Sequence, residues 1–90
     1  MRRESMGREQ RQLIADTICL EWRDKPEGVS ELESNAIYER VVQEDARIEY
    51  PEFLEVLQQL VEGDQISGTV FVSNVRITGV SPTLCEDRVI

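Results

Sequence analysis

Ninety residues supply one domain's worth of chain, and 40% hydrophobic with 31% charged residues is a globular balance that excludes wholesale disorder. Eighteen acidic residues against ten basic ones give a net charge of −8, a surface that repels polyanions at long range. No apolar run approaches the roughly 18 residues a membrane span needs, and no signal peptide follows the basic start Met1-Arg2-Arg3, so a cytoplasmic protein that does not enter membranes is expected.

Residues 1–90 read as a single domain, with 1–7 as a flexible N-terminus. The first element, about Arg8 to Arg23, carries Ile14, Ile18 and Trp22 at i, i+4, i+8, the apolar stripe of an amphipathic helix. Trp22 belongs to that stripe and is expected in the core. Pro26 and Gly28 stop the helix.

Ser30-Glu31-Leu32-Glu33 has the spacing of a capping box, in which Ser30 and Glu33 satisfy each other's backbone N–H groups. It predicts a second helix presenting Leu32, Ala36, Ile37 and Val41 to the core and ending in Gln43-Glu44-Asp45. Pro51 at a first helical position marks a third helix, about Pro51 to Glu62, with Phe53, Leu57, Leu60 and Val61 on its buried face. Gly63 is the expected left-handed stop.

From Ile66 to Val80 the period changes to two. A turn at Ser73-Asn74 predicts a hairpin pairing Val72 with Val75, Phe71 with Arg76 and Val70 with Ile77, which puts four β-branched residues on one face. Gly68 and Gly79 would then face one another. A short helix from Ser81-Pro82 through Arg88 is expected to close the chain. The fold class is therefore α+β: a three-helix bundle, a two-stranded hairpin wing and a short C-terminal helix.

Helix, helix, helix and hairpin, with Leu57-x-x-Leu60-x-x-Gly63-Asp64-x-Ile66 leading into the first strand and Val75-Arg76-Ile77-Thr78 in the second, is similar to the winged helix-turn-helix family. The resemblance spans about Leu13 to Val80. It implies a third helix that enters a DNA major groove and a wing, Ser73-Asn74, that touches the phosphate backbone. The outward positions of that helix are Glu52, Glu55, Gln58, Gln59 and Glu62, with no basic residue among them. Phosphate affinity rests largely on Lys and Arg, so these carboxylates oppose such a use.

No histidine is present, which removes the commonest zinc ligand, the commonest general base and every Ser-His or Cys-His pair. Cys19 and Cys85 lie outside any CxxC or Cys/His spacing. Two buried thiols in a reducing compartment are expected in preference to a disulfide. Glu31 with Glu33, and Glu44 with Asp45 and Glu49, match no calcium loop and read as solvated surface. No enzyme activity, metal, cofactor or small-molecule substrate is expected.

Two uses remain. The first is an interaction module binding a protein partner, or a second copy as a homodimer, through Glu52, Glu55, Gln58, Gln59 and Phe71, in a transcription or genome-associated setting. Tyr38 and Tyr50 join these if they emerge on one face with Phe71, and the outer hairpin edge is a further docking strand. The alternative is a DNA-binding transcriptional regulator using Arg2, Arg3, Arg8 and Arg11, with Arg47 and Arg76 as further phosphate contacts. Against it, the N-terminal arginines pair with Glu4 and Glu9, and Arg76 covers Phe71 across the strands.

Overall fold

The computed structural model describes residues 7–85. In chain order these form α1 (Arg8–Asp24), β1 (Leu32–Glu33), α2 (Ser34–Glu44), α3 (Tyr50–Glu62), β2 (Ile66–Val70), β3 (Val75–Val80) and α4 (Pro82–Cys85). The architecture is α+β, and the strands make one antiparallel sheet in the order β1-β3-β2.

The core lies between the helices and the inner face of that sheet. Ile14 and Ile18 of α1, Ile37 and Val41 of α2, Phe53 and Leu57 of α3, and Ile66, Val75 and Ile77 of the sheet are all buried there. Trp22 is half-buried against this core, with Lys25 Nζ 4.4 Å from its ring centroid in a cation–π contact. Among the described residues no helix is long and apolar enough to cross a membrane.

The capping box expected at Ser30 does not form. Ser30 is exposed in a loop, and Leu32 and Glu33 instead pair with Ile77 and Arg76, adding a third strand to the expected two. The helix starts at Ser34, with Glu33 in extended conformation before it. That start sets the buried face at Ser34, Ile37 and Val41, spaced i, i+3, i+7, and leaves Ala36 exposed where the sequence placed it inside. Leu32 reaches the core from the strand.

The left-handed residue after α3 is Asp64 (φ 62°), while Gly63 keeps φ −91°. Gln65 N–H donates to Leu60 O (2.9 Å) and Asp64 N–H to Val61 O (3.1 Å), the bonding pattern of a Schellman end. The stop therefore falls one residue later than expected. Aspartate enters this conformation more readily than most residues because its side chain is short and polar.

The hairpin register also differs from the expected one. Val70 pairs with Val75, Thr69 with Arg76 and Gly68 with Ile77, while Phe71 N–H donates to Asn74 O at 2.8 Å. The tip is thus Val72-Ser73. The shift of two residues keeps Val75 and Ile77 inward but carries the other two expected face residues out, leaving Val70 41% and Val72 103% exposed.

Beyond this, Ser67 pairs with Gly79 and Ile66 with Val80, so Thr78 is an extra residue and β3 bulges there. The bulge accommodates an apolar pattern that steps by two from Val75 to Ile77 and by three to Val80. It also brings β3 against Gly68 in place of the expected Gly79: a Cβ at Gly68 would stand 2.0 Å from the Arg76 carbonyl oxygen.

The cysteines are joined. α4 folds back onto α1, buries Leu84 and brings the Cys85 Cα to 5.9 Å from that of Cys19, and the two form a disulfide. The expectation of free thiols is overturned by this return of the chain, which no local spacing announces. The helix seen at Pro82–Cys85 covers the start of the expected terminal helix, whose remainder lies outside the described residues.

Candidate functional site

Two surfaces carry the residues singled out from the sequence. The first is the outward side of α3, where Glu55, Gln58, Gln59 and Glu62 are exposed and Glu52 is half-buried. Tyr50 and Pro51 open this helix, and the burial of Phe53, Val56 and Leu57 turns these polar residues outward. Gln59 Oε1 accepts from Arg11 of α1 at 2.7 Å, which ties the acidic helix to α1.

The second surface is the hairpin. Phe71 is 43% exposed, with the Arg76 guanidinium 5.4 Å from its ring centroid. Val70, Phe71 and Val72 thus form one exposed apolar stretch beside the turn. The sequence marks Phe71 as a contact residue, whereas the expected register places Val70 and Val72 on the buried face. The signal that marks them is the absence of any charge from Gln65 to Val75 in a chain that is 31% charged.

The hairpin is held from its β1 side. The Tyr50 phenol, at the start of α3, donates to the Ser73 carbonyl at 2.9 Å and lies against Asn35 Oδ1 and 3.1 Å from Ser34 Oγ. Ser34 Oγ accepts the Val75 N–H at 3.0 Å, so its own proton is free to go to the Tyr50 oxygen. Asn74 Nδ2 donates to Glu33 Oε1 at 2.8 Å. Neither Ser34 nor Tyr50 could be given this role from local sequence, because the partners lie 41 and 23 residues away.

Tyr38 and Tyr50 meet edge to face with centroids 5.0 Å apart, and both pack on Phe53, not on Phe71. Tyr38 also donates to the Ile48 carbonyl at 2.7 Å, which closes the turn between α2 and α3. Asn35, Tyr38, Glu39 and Tyr50 line a shallow cleft of about 270 Å³ there.

The arginines are distributed and mostly engaged. Arg76 Nε lies 3.0 Å from both Glu31 and Glu33, which makes these two carboxylates partners of the wing rather than a separate acidic cluster. Arg47 binds Asp45 three ways, through its backbone N–H (3.0 Å), Nε (2.9 Å) and Nη2 (3.0 Å). Those bonds, with a further one from Gln10, hold the Asp45 carboxyl well below the usual carboxylate range and raise Arg47. Arg8 and Arg47 line one open cleft with Gly7, Glu9 and Gln10, where Glu9 also faces Arg47. Arg2, Arg3 and Glu4 lie outside the described residues.

Among the described residues no group of three His, Cys, Asp or Glu side chains is placed to hold a metal ion. Comparison with known protein families, with curated proteins and with solved structures returns no match for this chain.

Proposed function

We propose that this chain is a non-catalytic, winged-helix-like module that acts by contact with protein and does not read duplex DNA through α3. The likeness draws support from a third helix that runs through a Gly-containing turn into a hairpin packed on the same core.

One observation carries the functional reading: the outward face of α3 has carboxylates and amides but no cation, while Arg11, Arg47 and Arg76 are each engaged by Gln59, Asp45 or the Glu31–Glu33 pair. Arg47 and Arg76, already matched by carboxylates, add little net positive potential for a phosphate, while Arg11, held by the neutral Gln59 amide, is a single cation beside an acidic helix. A transcription or genome-associated setting follows from the fold likeness, and the uncharged hairpin supplies a surface for protein contact.

Titration of labelled duplex DNA followed by anisotropy, at low and at high salt, tests this. The expected result is no binding at either. Binding at low salt that weakens steeply as salt is added would replace it with a DNA-binding regulator working through Arg8, Arg11 and the wing.

A further inference from the structure

We propose that the Cys19–Cys85 disulfide is a redox latch: a dithiol reductant opens it, α4 leaves the surface of α1, and the rest of the fold stays in place. This goes beyond the protein-contact reading and does not depend on it.

α4 is one turn long and packs chiefly on α1. The hydrogen bonds that shape it are local: Thr83 N–H donates to Ser81 Oγ at 3.2 Å and Leu84 N–H to Ser81 O at 3.1 Å. Leu84 is the one buried core residue that α4 supplies, and the others all come from Ile14 to Ile77. The core is therefore closed by side chains that precede α4.

An isolated turn of helix does not persist in water, and fixing four backbone residues costs more than burying one leucine returns. The disulfide tips that balance. Leu84 is the neighbour of Cys85, so while the sulfurs are joined the leucine cannot leave its seat. The chain before it is fixed independently, since Ser81 N–H donates to Gln65 O at 2.8 Å. Ser81 is thus the hinge, and only the four residues beyond it are held by the latch.

The latch is reachable from one side. Cys19 is buried and Cys85 is half-buried, so a reductant thiolate meets the Cys85 sulfur first. Its attack forms a mixed disulfide with Cys85, and the Cys19 sulfur leaves. The second sulfur of the reductant then displaces Cys85. The reductant gives up two electrons and two protons and becomes a cyclic disulfide, and the protein gains two thiols.

Opening changes a defined surface. Leu84 forms one wall of a cleft of about 230 Å³ with Ala15, Val56 and Leu60, between α1 and α3. Once α4 leaves, that cleft is wider and its apolar floor is bare; reoxidation returns the leucine to it.

NMR amide exchange of the full chain at room temperature, before and after dithiothreitol, tests the latch. Protection at Leu84 should fall on the order of tenfold or more, and the shifts of Thr83 to Cys85 should move to unfolded-peptide values. Ile37, Phe53 and Ile77 should keep their folded shifts, and removal of the reductant in air should restore α4. Leu84→Ala supplies an independent measurement. It should lower the melting temperature of the oxidised chain by about 10 °C, and that of the reduced chain by no more than about 2 °C, because the leucine is already released there. A Leu84 that stays protected after reduction, or a Leu84→Ala effect of equal size in both states, overturns the proposal. So does a reduced chain that loses its folded shifts throughout, since the bond would then hold the whole fold and not α4.

Discussion

The phenol of Tyr50 donates to the carbonyl of Ser73 at 2.9 Å, so the first residue of α3 is bonded to the tip of the hairpin. Ser34 Oγ completes the link, with the Val75 N–H on one side and the Tyr50 oxygen on the other. The orientation of the wing is thereby set by the starts of two helices.

Breaking this link separates its two halves. Ser34 is fully buried, and Ser34→Ala strands the Val75 N–H, at an expected cost of about 1–3 kcal/mol. Tyr50→Phe keeps the ring contacts with Tyr38 and Phe53 and should cost only about 1 kcal/mol. Chemical denaturation measures both, and faster amide exchange at Asn74 and Val75 in either variant would locate the loss at the hairpin.

Two glycines of the hairpin make a matched pair. Gly68→Ala drives a methyl to within 2.0 Å of a backbone oxygen and should destabilise by at least about 2 kcal/mol, because β3 must move. Gly79→Ala meets only Ser67 Cβ at 3.5 Å, an ordinary contact, and should stay within about 1 kcal/mol of the parent. Equal effects in thermal melts would mean that the bulge is absent.

The disulfide spans 66 residues, and chain-entropy reasoning assigns such a loop about 4 kcal/mol at most. A Cys19→Ser, Cys85→Ser chain should melt well below the oxidised parent. Reductant should lower the melting temperature of the parent toward that of the double variant and leave the variant itself unmoved.

Asp45 gives stability a dependence on acid. Bonds from Arg47 and Gln10 lower its carboxyl in the folded chain, so the unfolded chain takes up its proton first as pH falls. The contribution is present above the unfolded value of about 3.9 and is lost as pH drops below it toward the folded value. Melting temperature against pH should therefore fall less steeply below about pH 4 in Asp45→Asn than in the parent.

The helices were legible because their signals are local. Ile14 with Ile18, and Phe53 with Leu57, declare a buried face within two turns, and Pro51 marks a helix start. β1 was hidden for the converse reason: two residues carry no period, and Leu32-Glu33 is a strand only because Ile77 and Arg76 lie beside it.

The same fact explains the false capping box. Its side-chain types were correct, but sheet pairing took the residues that a helix would have used. The hairpin's existence was readable and its register was not, since apolar alternation is satisfied equally after a slip of two residues and only the bulge at Thr78 and the close approach at Gly68 decide between them. At the candidate site, Phe71 could be named from sequence, whereas the exposure of Val70 and Val72 followed from that register.

The strand order β1-β3-β2 puts the last strand of the chain in the centre of the sheet. β1 has nothing to add to until the hairpin behind α3 exists, so its pairing closes the long loop from Leu32 to Ile77 and bears the largest ordering cost in the sheet. Assembly therefore has a direction. Helices and hairpin form from neighbours in sequence, and the sheet is completed by its shortest member. The speed of folding should accordingly depend on how readily a two-residue strand finds a distant partner, and Glu33, whose carboxylate meets both Asn74 and Arg76, is placed to guide that encounter.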